Sequence, residues 1–301
     1  ALASAARQTW RVDTLVVDDG STDETASVAQ ASGAVLLRQP PLGLSAARNQ
    51  GLRAADGEYV IFLDADDELV PDAVESGVRL LERDRLATMV ARCCRLIDEH
   101  GRDLPTNCPP PAEHDLYAAW LRRNLAWTPG AVVFRRAPLA AIGGFPDRVG
   151  PASDYAVYLR LARTSRVLFD ARDAVLYRQH GGNMSRDAAL MLRATLQVLR
   201  AERPSLPPGY GRAYREGLRA WRTFYGEQIV QQLRTALRLR RFGARELAAA
   251  GLLARECSGL LVQHIARKLS RVARGLPPTE VEPGRFPVGA PVSDGESAGA
   301  S

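Results

Sequence analysis

Among 40 basic residues the chain has one lysine, Lys268, a bias that reads as GC-rich coding and not as special chemistry. Its four cysteines, Cys93, Cys94, Cys108 and Cys257, show no paired CxxC spacing. That spacing argues against a structural zinc and against a disulfide framework, so a reducing cytosol is the expected compartment. No stretch approaches the ~20 consecutive apolar residues of a spanning helix. No secretory leader opens the chain either, which supports the cytoplasmic reading.

What is present is an ordinary soluble composition, 46% apolar and 25% charged over 301 residues, enough for a full core. The net charge of +6 is unevenly placed. Residues 212–275 carry fourteen Lys plus Arg against four Glu, a balance of +10, so the rest of the chain carries −4. The basic character thus belongs to the C-terminal part.

Two apolar runs end in clustered carboxylates: Thr14 to Val17 delivers Asp18-Asp19-Gly20-Ser21-Thr22-Asp23, and Tyr59 to Leu63 delivers Asp64-Ala65-Asp66-Asp67. In open α/β sheets ligands lie beyond the carboxyl ends of strands, so these acids are expected to line one crevice. Five or more carboxylates cannot face an anionic ligand without a cation. The pairing therefore reads as Mg²⁺ or Mn²⁺ holding a phosphorylated substrate. A transferase acting on a nucleotide-activated group fits that description.

Further strand candidates are Ala34 to Leu37, Ala87 to Leu96, Ala131 to Phe134, Val167 to Phe169 and Ala174 to Tyr177. Helical patterns fall between the early ones, at Asp23 to Ser32, Leu44 to Ala55 and Pro71 to Arg83. The alternation predicts an α/β fold with a mostly parallel, Rossmann-type sheet flanked by helices. After Ser185 only long helical stretches follow, at Asp187 to Glu202, Ala213 to Leu239 and Ala244 to Ala273. The expected organisation is a catalytic domain over 1–186, a helical extension over 187–275 and a disordered tail over 276–301. Ala1 to Thr9 reads as the back end of a helix, so the catalytic domain is expected to be incomplete at its N-terminus.

A DxD triplet such as Asp64-Ala65-Asp66 can present one carboxylate to a ribose hydroxyl and the other to a divalent cation. The plain alternative is an acidic turn that caps the next helix. Asp19 is placed to accept an N–H from a base. The glycine-led loop Gly43-Leu44-Ser45-Ala46-Ala47-Arg48-Asn49 enters a helix whose N-terminus and Arg48 favour an anion, although Arg48 alone is more often a surface residue. Tyr117, Trp120 and Trp127 can stack on an acceptor sugar or belong to the core.

Taken together, VVDDGSTD and GLSAARNQGLRAADGEYVIFLDADD closely resemble the inverting nucleotide-sugar glycosyltransferases of family 2, with the GT-A fold. The likeness continues through Gly143-Gly144-Phe145, Ser153-Asp154-Tyr155 and Tyr177-Arg178-Gln179-His180 with Asn183-Met184-Ser185, and covers about residues 1–185. The resemblance implies that Asp19 contacts the base, Arg48 lies near the nucleotide, Asp64 supports the ribose and Asp66 ligates the metal. It also implies that Asp154 is the general base, and that His180 touches the metal or the diphosphate. Many relatives have Glu-Asp where this chain has Ser153-Asp154.

Relatives open with a strand that is absent here and that lies between the strands ending at Val17 and Leu63. Its loss leads to the expectation of unpaired strand edges, instability and weakened activity. The expected function is transfer from a nucleotide sugar, a UDP-sugar, to a saccharide or lipid-linked saccharide in bacterial surface-polysaccharide synthesis. The basic C-terminal helices, notably His264 to Val272, suggest peripheral contact at the inner face of the plasma membrane. No nucleic-acid partner is expected. Two other readings stand beside this one: a truncated domain that only binds nucleotide or protein, and a haloacid-dehalogenase-type phosphatase with Asp64 as nucleophile. Nucleotidyltransferases share the acid placement, and no glycine-rich, lysine-bearing opening of the kind they use is found in this sequence, although truncation could hide one.

Overall fold

The computed structural model describes residues 1–112, 114–262 and 266. The expected tail at 276–301 lies outside them, as does the basic segment His264 to Val272 apart from Ala266.

The chain begins with α1 (Leu2–Ala6), β1 (Leu15–Asp18), α2 (Thr25–Ala31), β2 (Val35–Arg38) and α3 (Leu44–Ala54). β1 and β2 pair in parallel from Leu15 beside Val35 to Asp18 beside Arg38, with α2 as the crossover. There follow β3 (Tyr59–Val60), β4 (Glu68–Leu69), α4 (Ala73–Arg83), β5 (Ala87–Asp98), α5 (Leu116–Arg122), β6 (Val132–Arg135), α6 (Arg136–Ala141), α7 (Ser153–Thr164) and β7 (Arg166–Gln179). The second sheet has the order β3-β6-β5-β7-β4.

In that sheet β5 and β7 run parallel, while β3 with β6, β5 with β6 and β4 with β7 run antiparallel. The α/β architecture is as expected, but the sheet is mixed where a mostly parallel one was predicted. Alternating strand and helix patterns tell which segments extend; the direction of each pairing depends on which neighbour a strand docks beside, and periodicity does not carry that. β1 pairs only with β2, and β3 only with β6. Each therefore has one edge without a strand partner among the described residues, as β2 and β4 do at the other ends of the two sheets.

Of the run Tyr59 to Leu63 only Tyr59 and Val60 enter a ladder. The rest extends by packing, with Phe62 edge-on to Phe134 at 6.1 Å and to Phe145 at 4.7 Å. The two expected strands at Val167 and Ala174 are one strand, β7, which follows β5 across register shifts near Cys93.

Three long helices follow, α8 (Ala188–Glu202), α9 (Gly211–Arg238) and α10 (Ala244–Glu256), with helical residues 258–262 after them. The helix expected to run on to Ala273 breaks at Cys257, whose φ of −129° leaves the helical region. Core residues Trp120, Phe134, Tyr155, Leu192, Leu199, Trp221 and Ile229 belong to one buried cluster, so α8 and α9 share a core with α5 and α7. A Cβ on Gly217 of α9 would overlap the Leu121 carbonyl oxygen of α5, which marks how closely those helices cross. Trp120 and Tyr117 are buried there, so neither is free to stack on an acceptor; Trp127 is half-buried.

Cys93 and Cys108 form a disulfide, with Cα atoms 5.8 Å apart. This one bridge departs from the expectation, drawn from cysteine spacing, that disulfides are absent. The pairing was hidden because it depends on the chain turning back after β5. Gly101 N–H bonds the Asp98 carbonyl, Leu104 N–H bonds the Leu96 carbonyl, and Asp103 bridges to Ile97. That return brings residue 108 beside residue 93. Cys94 and Cys257 are buried free thiols.

Candidate functional site

The loop after the Tyr59 to Leu63 run carries Asp64, Asp66 and Asp67 in three different environments. Asp64 accepts from the Arg48 guanidinium at 2.9 Å. Arg48, on α3, is buried and also lies over the Phe145 ring at 5.4 Å. Burial alone would lower its pKa, but the charges of Asp64 and Asp154 outweigh that and raise it.

Asp154 sits in the first turn of α7 and is buried. Burial pushes its carboxyl up to about 6, opposed by the Arg48 charge and by the Tyr155 N–H that Asp154 accepts at 2.8 Å. The hydroxyls of Ser153 and Tyr158 beside it are buried without a hydrogen-bond partner. The structure thus brings together Arg48, Asp64 and Asp154, three residues that the sequence spreads over about a hundred positions.

Local sequence explains why Arg48 turns inward. Asn49 donates to the Phe145 carbonyl at 2.7 Å and accepts the Phe145 N–H at 2.8 Å, locking α3 to the Gly143-Gly144-Phe145 turn. A Cβ at Gly144 would overlap Asn49 Oδ1, and φ there is +66°, so glycine is required on two counts.

Asp66 meets His180, with Oδ2 2.8 Å from Nε2. His180 Nδ1 accepts the Gly182 N–H at 3.1 Å, which puts the ring proton on Nε2, facing Asp66. Asp66 and Asp64 are each about one-third exposed at the side chain, as is His180. No group of three or more His, Cys, Asp or Glu side chains that could hold a metal is found among the described residues. This donor set is not a closed cage. It fits a hard divalent cation that takes one or two carboxylates and completes its shell with phosphate oxygens and water.

Asp67 is fully buried. It accepts the Arg178 N–H and the Thr128 hydroxyl, each at 3.0 Å, and burial pushes its carboxyl up to about 7. It ties the acidic loop to β7 and to the turn before β6. Arg178 wraps the same loop, donating to the Asp66 carbonyl at 2.9 Å and to Glu68 at 2.6 Å. Sequence reasoning assigned neither residue a role, although both stand inside motifs it quoted.

Asp19 is held by the loop that leads into α3. Its Oδ1 accepts from Gln39 at 2.6 Å and from Leu42 N–H at 2.8 Å, and its Oδ2 accepts from Gly43 N–H at 2.8 Å. Burial works against ionisation, but these three donors hold its carboxyl below the usual range. Asp19 thus engages the Leu42 and Gly43 N–H groups just ahead of α3.

Residues 1–142 match a family model described as glycosyl transferase family 2. The chain is 32% identical over 139 residues to the uncharacterized glycosyltransferase YibD of Escherichia coli K12, covering 42% of this chain and 40% of that protein. It is 29% identical over 183 residues to an Escherichia coli chondroitin synthase, covering 58% of this chain and 26% of the synthase. The chain thus spans less than half the length of these two relatives.

Among solved structures, S. aureus TarS 1-349 in complex with UDP-GlcNAc superposes with a TM-score of 0.57 at 17% identity, covering 72% of this chain and 66% of TarS. The mannosyltransferase PcManGT from Pyrobaculum calidifontis, in complex with GDP-Man and Mn²⁺, gives 0.56 at 20% identity, covering 91% of this chain and 77% of that one. These likenesses establish the GT-A fold, with its mixed sheet and helical C-terminal region.

Proposed function

We propose, for a chain whose residues 1–142 belong to glycosyl transferase family 2, that it is a glycosyltransferase moving a sugar from a nucleotide donor to a hydroxyl acceptor with inversion at the anomeric carbon. The donor is a UDP-sugar and the acceptor a saccharide or lipid-linked saccharide of surface-polysaccharide assembly. The observation that carries this reading is the buried Arg48 flanked by Asp64 and Asp154, one carboxyl partly open and the other held near neutrality.

In this reading Asp154 is the general base. An acceptor alcohol is a poor nucleophile until its proton is being removed, and a carboxylate with a pKa of about 6 is ionised at neutral pH yet basic enough to take that proton. One base opposite one leaving group gives a single displacement, hence inversion. Asp64 takes a ribose hydroxyl beside Arg48. Asp66 would hold Mg²⁺ or Mn²⁺, with His180 orienting that carboxylate through its Nε2–H. The bound ion would stabilise charge on the departing diphosphate. Asp19 holds the 39–43 loop at the base end and keeps one lone pair on Oδ2 for a base N–H. UDP-GlcNAc and GDP-Man with Mn²⁺ in the structural neighbours support a nucleotide-sugar donor.

The test is a screen of UDP- and GDP-sugars for Mn²⁺-dependent binding and hydrolysis. One donor is expected to bind, Asp66→Ala to abolish the metal dependence, and Asp154→Asn to retain binding while losing transfer. Binding of no donor with either metal would overturn the proposal in favour of a non-enzymatic domain.

A further inference from the structure

The turn between α9 and α10 takes no part in the Arg48 cluster, and its surface is unusual. Residues 237–245 are exposed without interruption. Leu237, Leu239 and Phe242 are 60%, 59% and 41% exposed, and Leu247 on the first turn of α10 is 63% exposed. Single exposed leucines are common on soluble proteins; four large apolar side chains within eleven residues make a patch.

The same segment is strongly basic. From Gln228 to Arg245 the sequence has five arginines, at 234, 238, 240, 241 and 245, and no acid. Arg245 pairs with Asp187 at 2.8 Å, and the Glu246 carboxylate accepts the Gly243 N–H at 2.9 Å, so the two acids nearest the turn are engaged. Among the described residues, Arg238, Arg240 and Arg241 have no carboxylate partner.

The backbone adds an independent sign. α9 closes with Arg241 N–H on the Ala236 carbonyl at 2.9 Å and Arg240 N–H on the Leu237 carbonyl at 3.1 Å. Glycine usually occupies the left-handed position of such a helix end. Here it is Arg240, at φ +53°, the only non-glycine with positive φ among the described residues. A charged side chain stands where the conformation disfavours any side chain.

We propose that this turn is a docking surface for an anionic lipid bilayer, with Leu237, Leu239, Phe242 and Leu247 entering the acyl boundary and the arginines meeting lipid phosphates. Interleaved apolar and cationic side chains on a projecting turn match a surface that is both greasy and negative. A polyanion free in water would match only the arginines. The inference rests on the proposed lipid-linked acceptor for its purpose and on the turn alone for its geometry.

The test is sedimentation of the full chain with phosphatidylcholine vesicles, with and without phosphatidylglycerol. Binding is expected to be at least about tenfold tighter to the anionic vesicles. The double variant Leu237→Glu/Phe242→Glu is expected to lose roughly tenfold or more of it. Arg240→Gly is expected to weaken vesicle binding with an unchanged or raised melting temperature, a combination that a merely structural arginine would not give. Donor binding should be unaffected by all of these changes, so a failure of the transferase reading would show separately, as absent donor binding beside intact vesicle binding. Wild-type vesicle affinity in both turn variants would overturn the proposal, as would displacement of the vesicles by a short DNA duplex.

Discussion

Asp154 and Arg48 set each other's charge, and their coupling makes stability and activity respond oppositely to pH. The folded chain holds the Asp154 proton up to about pH 6, whereas an unfolded chain releases it near its ordinary value. The folded state therefore binds more protons across that window, and stability falls as pH rises through it. Asp154→Asn should be more stable than the parent at pH 8 by about 3 kcal/mol and equal to it near pH 3, measured by urea unfolding. The parent's kcat/KM should rise through about pH 6 to a plateau, and the variant should lose transfer by at least about a hundredfold. Arg48→Gln removes the charge that opposes burial. The acidic limb of the pH–rate profile should then move upward, and stability should drop by about 3 kcal/mol as Asp64 and Asp154 lose their partner. The participants in this cluster were legible in sequence because each stands in a short motif. Asp67 and Arg178 were not, because their roles come from full burial and from wrapping around a loop, which composition and spacing do not encode. Asp19 was legible as a special acid but not as the partner of Gly43, since that bond depends on where α3 begins relative to β1.

At the scale of elements, the two features least visible in sequence both come from chain crossings. The disulfide closes a separation of 15 residues, which in the chain-entropy view is worth about 3 kcal/mol. Cys93→Ser/Cys108→Ser should lower the melting temperature by about 5–10 °C, and thiol reductant should do the same to the parent but not to the variant. Gly217 lets α9 lie against the α5 backbone at Leu121. Gly217→Ala should destabilise by about 1–3 kcal/mol although alanine is the better helix former, and denaturant unfolding would read the sign directly. The long helices and most strands were foreseeable from periodicity, with ends within a few residues except for α10, which stops at Glu256. β4 was not, because Glu68 and Leu69 form a two-residue strand that exists only by pairing with Leu176 and Val175. The shortness of β3 has the same origin: Ile61 to Leu63 look like strand because they are half-buried against the core, whatever their ladder partners.

For the whole molecule, the change of pattern after residue 186 separates secondary-structure types, while the packing joins them. Tyr155 of α7 meets Trp221 of α9 at 5.9 Å, and the Tyr117 hydroxyl of α5 donates to Glu202 of α8 at 2.9 Å. Arg163 of α7 reaches the same Glu202 at 2.6 Å, so this buried carboxylate has partners from two elements of the N-terminal part. Removing α8 and α9 would strip cover from Trp120, Tyr155 and Leu121 and leave Tyr117 and Arg163 without their acceptor. Burial of that order is what a cooperative unit depends on, because net stability is a small difference between large terms. Residues 1–112 and 114–262 should therefore unfold as one transition, with calorimetric and van't Hoff enthalpies in agreement. A fragment of residues 1–186 should keep far-ultraviolet dichroism but lose its near-ultraviolet signal and bind ANS, the behaviour of a collapsed chain without fixed packing. A fragment with a sharp melting transition and native near-ultraviolet dichroism would show instead that residues 1–186 fold alone and that the helices are an attachment.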